Sequence, residues 1–321
     1  MGSASGQPAG DEAKVRAEMR LNEIPFKIVY ESYRGTSWDL CMVGADGSGQ
    51  VNLTHTPDVD ELYPHVSPDG TRICCVIDET VGAQKVRNLY LMNMDGTGRI
   101  RIADNAREGC WSADGRWIAY LPAEFPKYTL TDYASKGMMI YDVATGKHAP
   151  HPNAALHHLY NLTWSPDRDW FVGTVHGGMG FKHAVLAFEA NGTRVFDLAK
   201  WGVGGCRPDL IASGAQLAWG ANDETLKVGD VAFGGTEPRV EHVRALVHCA
   251  KGFKVYHVDW APDGRHVAFS FGPEAGKEMP GQRAPTWNIC VADLGGNWVP
   301  VTTDGLDNKE PDWVPLSAGT K

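Results

Sequence analysis

Tyr63-Pro64-His65-Val66-Ser67-Pro68-Asp69-Gly70 is the stretch that decides the fold, because weakened copies of it recur along the 321 residues. Aligned on Val66, two copies are Glu108-Gly109-Cys110-Trp111-Ser112-Ala113-Asp114-Gly115 and Asn161-Leu162-Thr163-Trp164-Ser165-Pro166-Asp167. The others are Arg207-Pro208-Asp209-Leu210, His257-Val258-Asp259-Trp260-Ala261-Pro262-Asp263-Gly264 and Glu310-Pro311-Asp312-Trp313-Val314-Pro315. The aligned anchors at 66, 111, 164, 210, 260 and 313 are spaced 45, 53, 46, 50 and 53 residues apart. A period near fifty, with turn signals inside each unit, marks a repeat array.

Outward from the quoted stretch, each unit reads as four strands. In the first full unit they are expected at 63–67, 72–77, 88–92 and 99–103, with Ser-Pro-Asp-Gly turning the first pair. Asp46-Gly47, Asp95-Gly96 and Asn191-Gly192 supply the hairpin turns, since these residues tolerate positive φ. The ends of the chain complement each other. Strands at 27–33, 38–43 and 50–53 lack a first strand, and residues 310–314 form a lone one. The expectation is an all-β, six-bladed β-propeller over residues 25–315, its ring closed by the N-terminal strands and a C-terminal innermost strand. Residues 1–24 read as a flexible lead with a short helix within 11–22, and 316–321 as a flexible tail.

Composition narrows the function classes. Apolar residues make up 43% and charged residues 21%, enough for a large core. A net charge of −9 argues against a general nucleic-acid binder, which needs a basic surface to displace counterions. The seven cysteines are odd in number and sit mostly among strand-like apolar residues, so buried free thiols are expected rather than a disulfide framework. No apolar run is long enough to span a bilayer, and Met1-Gly2-Ser3-Ala4-Ser5-Gly6 has no signal-peptide core. A monomer is expected.

Leu91-Met92-Asn93-Met94-Asp95-Gly96-Thr97-Gly98, taken with the Ser-Pro-Asp-Gly turns, resembles the WD40-like (PD40) repeat of TolB-type six-bladed propellers. Met42-Val43-Gly44-Ala45-Asp46-Gly47-Ser48-Gly49, followed by Asn52-Leu53-Thr54, is similar. The resemblance covers residues 25 to 315. It leaves no room for the separate N-terminal domain of complete TolB. It implies a propeller that binds a protein, peptide or oligosaccharide, and an exported, periplasmic location, whereas the odd cysteine count fits the cytoplasm. The same repeats resemble those of oligogalacturonate lyases, which implies an alternative activity.

Strand alternation assigns the candidate site. The residues just before the anchors are His65, Cys110, Thr163, Asp209, Asp259 and Asp312; two earlier come Tyr63, Glu108, Asn161, Arg207, His257 and Glu310. Both series share one side of the first strands, opposite to the anchors, and are expected to line a central channel. They either solvate a tunnel or hold a ligand. The anchors read as wedges between blades. The longest connections, 122–137, 176–183 and 272–286, fall on the face where the first strands begin, and this loop-rich face is the expected binding face. His157, His158, His176 and His183 gather there as candidate ligands for a divalent metal. No cofactor is required by any motif. In the lyase alternative, His257 is the base, and Arg207 and Lys309 meet the substrate carboxylate.

Overall fold

A computed structural model describes residues 12–57, 59–82, 84–122, 135–234, 236–274 and 286–316. Its twenty-four described strands form six four-stranded antiparallel sheets. Blade 1 draws β1 (Lys27–Tyr33), β2 (Trp38–Gly44) and β3 (Val51–Asn52) from the start of the propeller. Blade 2 is β4 (Asp60–Val66), β5 (Arg72–Val81), β6 (Gln84–Asn93) and β7 (Ile100–Ala103). Blade 3 is β8 (Ala106–Trp111), β9 (Trp117–Pro122), β10 (Met139–Asp142) and β11 (Lys147–Pro150). Blade 4 holds β12 (Leu159–Trp164), β13 (Trp170–Gly178), β14 (Phe181–Glu189) and β15 (Val195–Asp197). Blade 5 holds β16 (Cys206–Leu210), β17 (Gln216–Asn222), β18 (Thr225–Ala232) and β19 (Arg239–His248). Blade 6 holds β20 (Phe253–Trp260), β21 (His266–Pro273), β22 (Asn288–Asp293) and β23 (Trp298–Pro300). The last strand, β24 (Asp307–Val314), pairs with β1 as the innermost strand of blade 1 and closes the ring.

The core lies between blades rather than within them. Most of the apolar clusters take one sheet face from each of two neighbours, as where Val228 and Val247 of blade 5 meet Val258 and Phe269 of blade 6. Helix α1 (Glu12–Met19) reinforces the closing seam. Met19 and Leu21 are buried with Ile28 and Val43 of blade 1 and Val299 of blade 6, while the Arg16 guanidinium donates to the carbonyl of Pro300. Of residues 12–24, Met19 and Leu21 are buried against the seam and the others are half-buried or exposed. No described helix is long and apolar enough to cross a membrane. All seven cysteines are unpaired and buried.

One feature departs from simple alternation. Every innermost strand carries a register shift near its middle, and a non-glycine residue with positive φ sits at each. These are Tyr63 (50°), Glu108 (55°), Asn161 (52°), Arg207 (55°), His257 (55°) and Glu310 (49°). They are the outer polar series of the repeat, one per blade. A left-handed residue of this kind costs of order 1–3 kcal/mol and persists only when its surroundings hold it. Side chains of the neighbouring blade do so: Tyr63 N donates to Glu31 Oε2 at 3.1 Å, Arg207 N to Thr174 Oγ1 at 2.9 Å and Glu310 N to Ser270 Oγ at 3.2 Å.

Candidate functional site

The six residues just before the anchors all line an axial cavity of about 410 Å³. They also fasten the ring. The carboxylate of Asp209 accepts from Trp260 N at 2.8 Å, that of Asp259 from Trp313 N at 3.0 Å and that of Asp312 from Val66 N at 3.0 Å. Thr163 Oγ1 does the same for Leu210 N at 3.2 Å. Each bond runs from one blade to the next, so this ring is structural whatever else it does.

The outer series divides. Tyr63, Asn161, His257 and Glu310 line the same cavity, whereas Glu108 and Arg207 lie outside its wall. Alternation predicts a solvated channel mouth here, but a buried charge network occupies it. Arg207 Nη1 reaches both oxygens of Glu310 at 2.9 and 3.2 Å, and His257 Nε2 contacts Glu310 Oε1 at 2.9 Å. The Arg207 guanidinium also lies near the Tyr160 and Tyr256 rings, 5.9 and 5.6 Å from their centroids. Burial opposes ionisation of Glu310, but Arg207 and then His257 hold its carboxyl down at about 2. Burial, then the Arg207 charge, push His257 down to about 4. His257 is thus neutral at pH 7. With Nε2–H donating to Glu310, Nδ1 accepts from the Ser270 hydroxyl at 3.0 Å. Neither ring nitrogen is left to take a proton from a substrate.

Glu31, Thr174 and Ser270 belong to this network and escaped the sequence reading. Glu31 stands in a strand whose other residues are mostly apolar, and such a lone buried acid is the one signal that could have found it. Burial, then the charge of Glu310, raise its carboxyl to about 8, with Lys309 acting the other way. Lys309 itself is buried, its ammonium over the rings of Trp38 and Trp287 at 5.2 and 5.6 Å. It lies outside both described cavities that border His257.

The four candidate metal-binding histidines all belong to the loop-face end of blade 4. The His157 and His158 rings lie 4.9 Å apart, and those of His176 and His183 5.4 Å. His157 is engaged at both nitrogens, by Ala155 O at 2.8 Å and Met179 N at 3.1 Å. His158 Nδ1 pairs with Gly177 O at 2.8 Å, and His183 Nε2 with the Tyr160 hydroxyl at 2.6 Å. Among the described residues, no group of three or more His, Cys, Asp or Glu is arranged to hold a metal ion. Most of the connections 122–137 and 272–286 lies outside the described residues.

A second cavity, of about 440 Å³, opens on the loop-rich face between blades 5 and 6. Arg207, Tyr256 and His257 form its inner wall, the hairpin residues Asn222, Asp223 and Glu224 one side, and Glu274 and His183 its rim.

No family model matches the chain, and no curated protein matches its sequence. Solved structures do. TolB from Acinetobacter baumannii matches with a TM-score of 0.67 at 16% identity, over 95% of this chain and 70% of that one. A chain of a nidogen/laminin complex matches with a TM-score of 0.58 at 8% identity, over 91% of this chain and 100% of that one. Oligogalacturonate lyase in complex with manganese matches with a TM-score of 0.51 at 12% identity, over 84% and 72%. The fold is that of a TolB-like six-bladed propeller; at these identities the likeness is one of fold.

Proposed function

We propose that the chain is a non-catalytic binding propeller that takes a protein segment, peptide or carbohydrate on its loop-rich face. The observation that carries this reading is the cavity of about 440 Å³ on that face, within the usual size range of ligand pockets. Its wall offers an aromatic ring at Tyr256 and a fixed guanidinium at Arg207, and its rim offers acceptors at Asp223, Glu224 and Glu274. That mixture suits a polar, hydroxyl- or amide-rich chain better than an apolar ligand. The lyase alternative needs an imidazole with a free nitrogen and a cation free to meet a carboxylate. His257 is engaged at both nitrogens, and Arg207 is paired with Glu310. The geometry therefore favours binding over proton abstraction.

The test is a peptide and glycan array probed with the intact protein and with Glu274→Trp, which fills the cavity rim from an exposed position. Ligands retained by the parent and lost by the variant, at an unchanged melting temperature, support the reading. Ligands held equally by both reject this face. In parallel, oligogalacturonate is expected to give no unsaturated-product absorbance; absorbance that disappears in His257→Gln would restore the lyase.

A further inference from the structure

The axial cavity opens on the turn-bearing face, where the exposed residues Pro68, Ala113 and Ala212 form its rim, so the loop-face cavity is a separate opening. The loop-face cavity exists because blade 5 stands lower than its two neighbours. On the loop side of the bulge its first two strands keep a single paired position, Cys206 with Gly220. Blade 4 keeps two, ending at Leu159 with Val175, and blade 6 keeps four, ending at Phe253 with Pro273. The cavity is the trough this leaves over blade 5. His183 of blade 4 bounds it on one side, and Phe253, Tyr256 and Glu274 of blade 6 on the other.

The floor of the trough carries almost no side chains. Gly205, Gly220 and Ala221 form it, and position 205 requires glycine: its φ is 104°, and a Cβ there would lie 2.0 Å from the Gly220 carbonyl oxygen. A polymer backbone can therefore approach the strands closely. Ala221 supplies an independent observation. Pairing between β17 and β18 passes from Gly220 with Leu226 to Asn222 with Thr225 and skips Ala221, while pairing with β16 has already ended at Cys206. A strand residue in the floor of the cavity thus has no partner residue on either neighbouring strand, which is an unfilled place in a ladder.

Charge points to the same kind of occupant. Arg207 is the only lysine or arginine of the described lining, and it is paired with Glu310. Of the three lining carboxylates, Asp223 meets Lys254 at 3.3 Å, whereas Glu224 and Glu274 form no ion pair among the described residues. Glu274 N donates to Gly252 O at 2.8 Å, which fixes it next to Phe253. The Phe253 ring is itself held by stacking on Phe271, 5.2 Å between centroids.

Resting on the loop-face cavity as the binding site, we infer that its ligand is an extended polypeptide segment bearing a lysine or arginine. The segment lies over blade 5 as an added strand against Ala221. Its basic side chain passes the Phe253 and Tyr256 rings to the Glu224 and Glu274 carboxylates. A neutral glycan hydrogen-bonds to carboxylates too, but it has no amide ladder to offer Ala221 and no charge to answer the two glutamates.

The peptide and glycan array probed with the parent and with Glu274→Trp, read by composition, tests this. The retained ligands are expected to be peptides with lysine or arginine, not glycans. For the tightest of them, fluorescence anisotropy should show at least about ten-fold weaker binding when the basic residue becomes norleucine, and again when the amide beside it is N-methylated. The double rim change Glu224→Gln with Glu274→Gln should weaken the same peptide to a like extent and flatten its salt dependence, at an unchanged melting temperature. Glycans, or peptides without a basic residue, that the parent holds and Glu274→Trp loses overturn the inference and leave the loop-face reading standing. Equal binding of the norleucine peptide, or salt dependence unchanged in the glutamine variant, overturns the charge assignment. Equal binding of the N-methylated peptide overturns the added strand. Ligands held equally by Glu274→Trp, or an array with no ligand, overturn the inference together with the reading it rests on.

Discussion

The two ends of the axial channel are built from neighbouring positions of one repeat, yet they solve the electrostatic problem differently. At the loop-face end the charges are paired: Glu310 takes Arg207 and His257, and Ser270 holds the remaining imidazole nitrogen. At the turn-face end three aspartates stand together: Asp312 meets His65, Asp209 meets the Thr163 hydroxyl, and Asp209 and Asp259 hydrogen-bond to each other, with no arginine or lysine among their partners. Paired buried charges hold a structure in one arrangement, and removing one partner strands the other. Crowded like charges are a reserve that a cationic guest, or a neutral isostere, can release. The lesson is that polar residues around a propeller axis are not one class.

The largest way to break the contrast is to remove both ends at once. A chain ending at Leu306 lacks β24, and with it Glu310, Asp312 and the Trp313 wedge. The edge of β1 and the apolar faces of blades 1 and 6 are then uncovered, so aggregation and loss of the cooperative melt are expected. A truncated protein that melts like the parent would show that β24 does not close the ring.

Next comes the paired end alone. Arg207→Met keeps the stem and removes the guanidinium, leaving Glu310 buried with only His257. A loss of roughly 3–5 kcal/mol is expected by denaturant melts, the range for breaking a buried pair from one side. A loss under about 1 kcal/mol would mean that water reaches Glu310 freely, and the two ends would then not differ.

Glu31 sharpens the comparison through pH. Its carboxyl is raised to about 8 in the folded protein, so the stability it contributes is complete below the ordinary glutamate value and is lost as pH rises towards 8. Glu310, held at about 2, works in the other direction and only at acid pH, losing its contribution as pH falls below the ordinary value. Glu31→Gln, which keeps an acceptor for Tyr63 N, should therefore raise the melting temperature at pH 8 by the order of a few degrees and change little near pH 4.5. A gain of equal size at both values would rule out the carboxylate charge as its source.

The ring order, the closure by β24 and the lining of the channel by residues 65, 110, 163, 209, 259 and 312 were legible in the sequence, because each rests on periodicity. The bulge was not. Tyr, Glu and Arg carry no local mark of positive φ, and what holds Tyr63, Arg207 and Glu310 there, Glu31, Thr174 and Ser270, comes from other strands. Nor was the opening on the turn face. Loop length pointed to one side, while the cavity mouth is made by Pro68, Ala113, Ala212 and their counterparts, which read as turn residues only. Whether a turn residue also bounds an opening depends on ring size and blade tilt, which no single repeat encodes.

The smallest effect is expected at the crowded end, and its sign is what matters. Asp259→Asn keeps the acceptor for Trp313 N and removes one of three neighbouring charges. Because burial and its neighbours raise Asp259, its stabilising contribution is complete below the ordinary aspartate value and falls away as pH rises through the raised one. The variant should therefore be as stable as the parent near pH 4 and more stable than it at pH 7.5. The gain should shrink when Asp209→Asn is already present, since the two carboxylates repel each other and their effects cannot add. A variant that is destabilised at pH 7.5 would mean that the Asp259 charge has a partner in the free protein. The turn-face end would then be as fully paired as the loop-face end, and the contrast between the two would be gone.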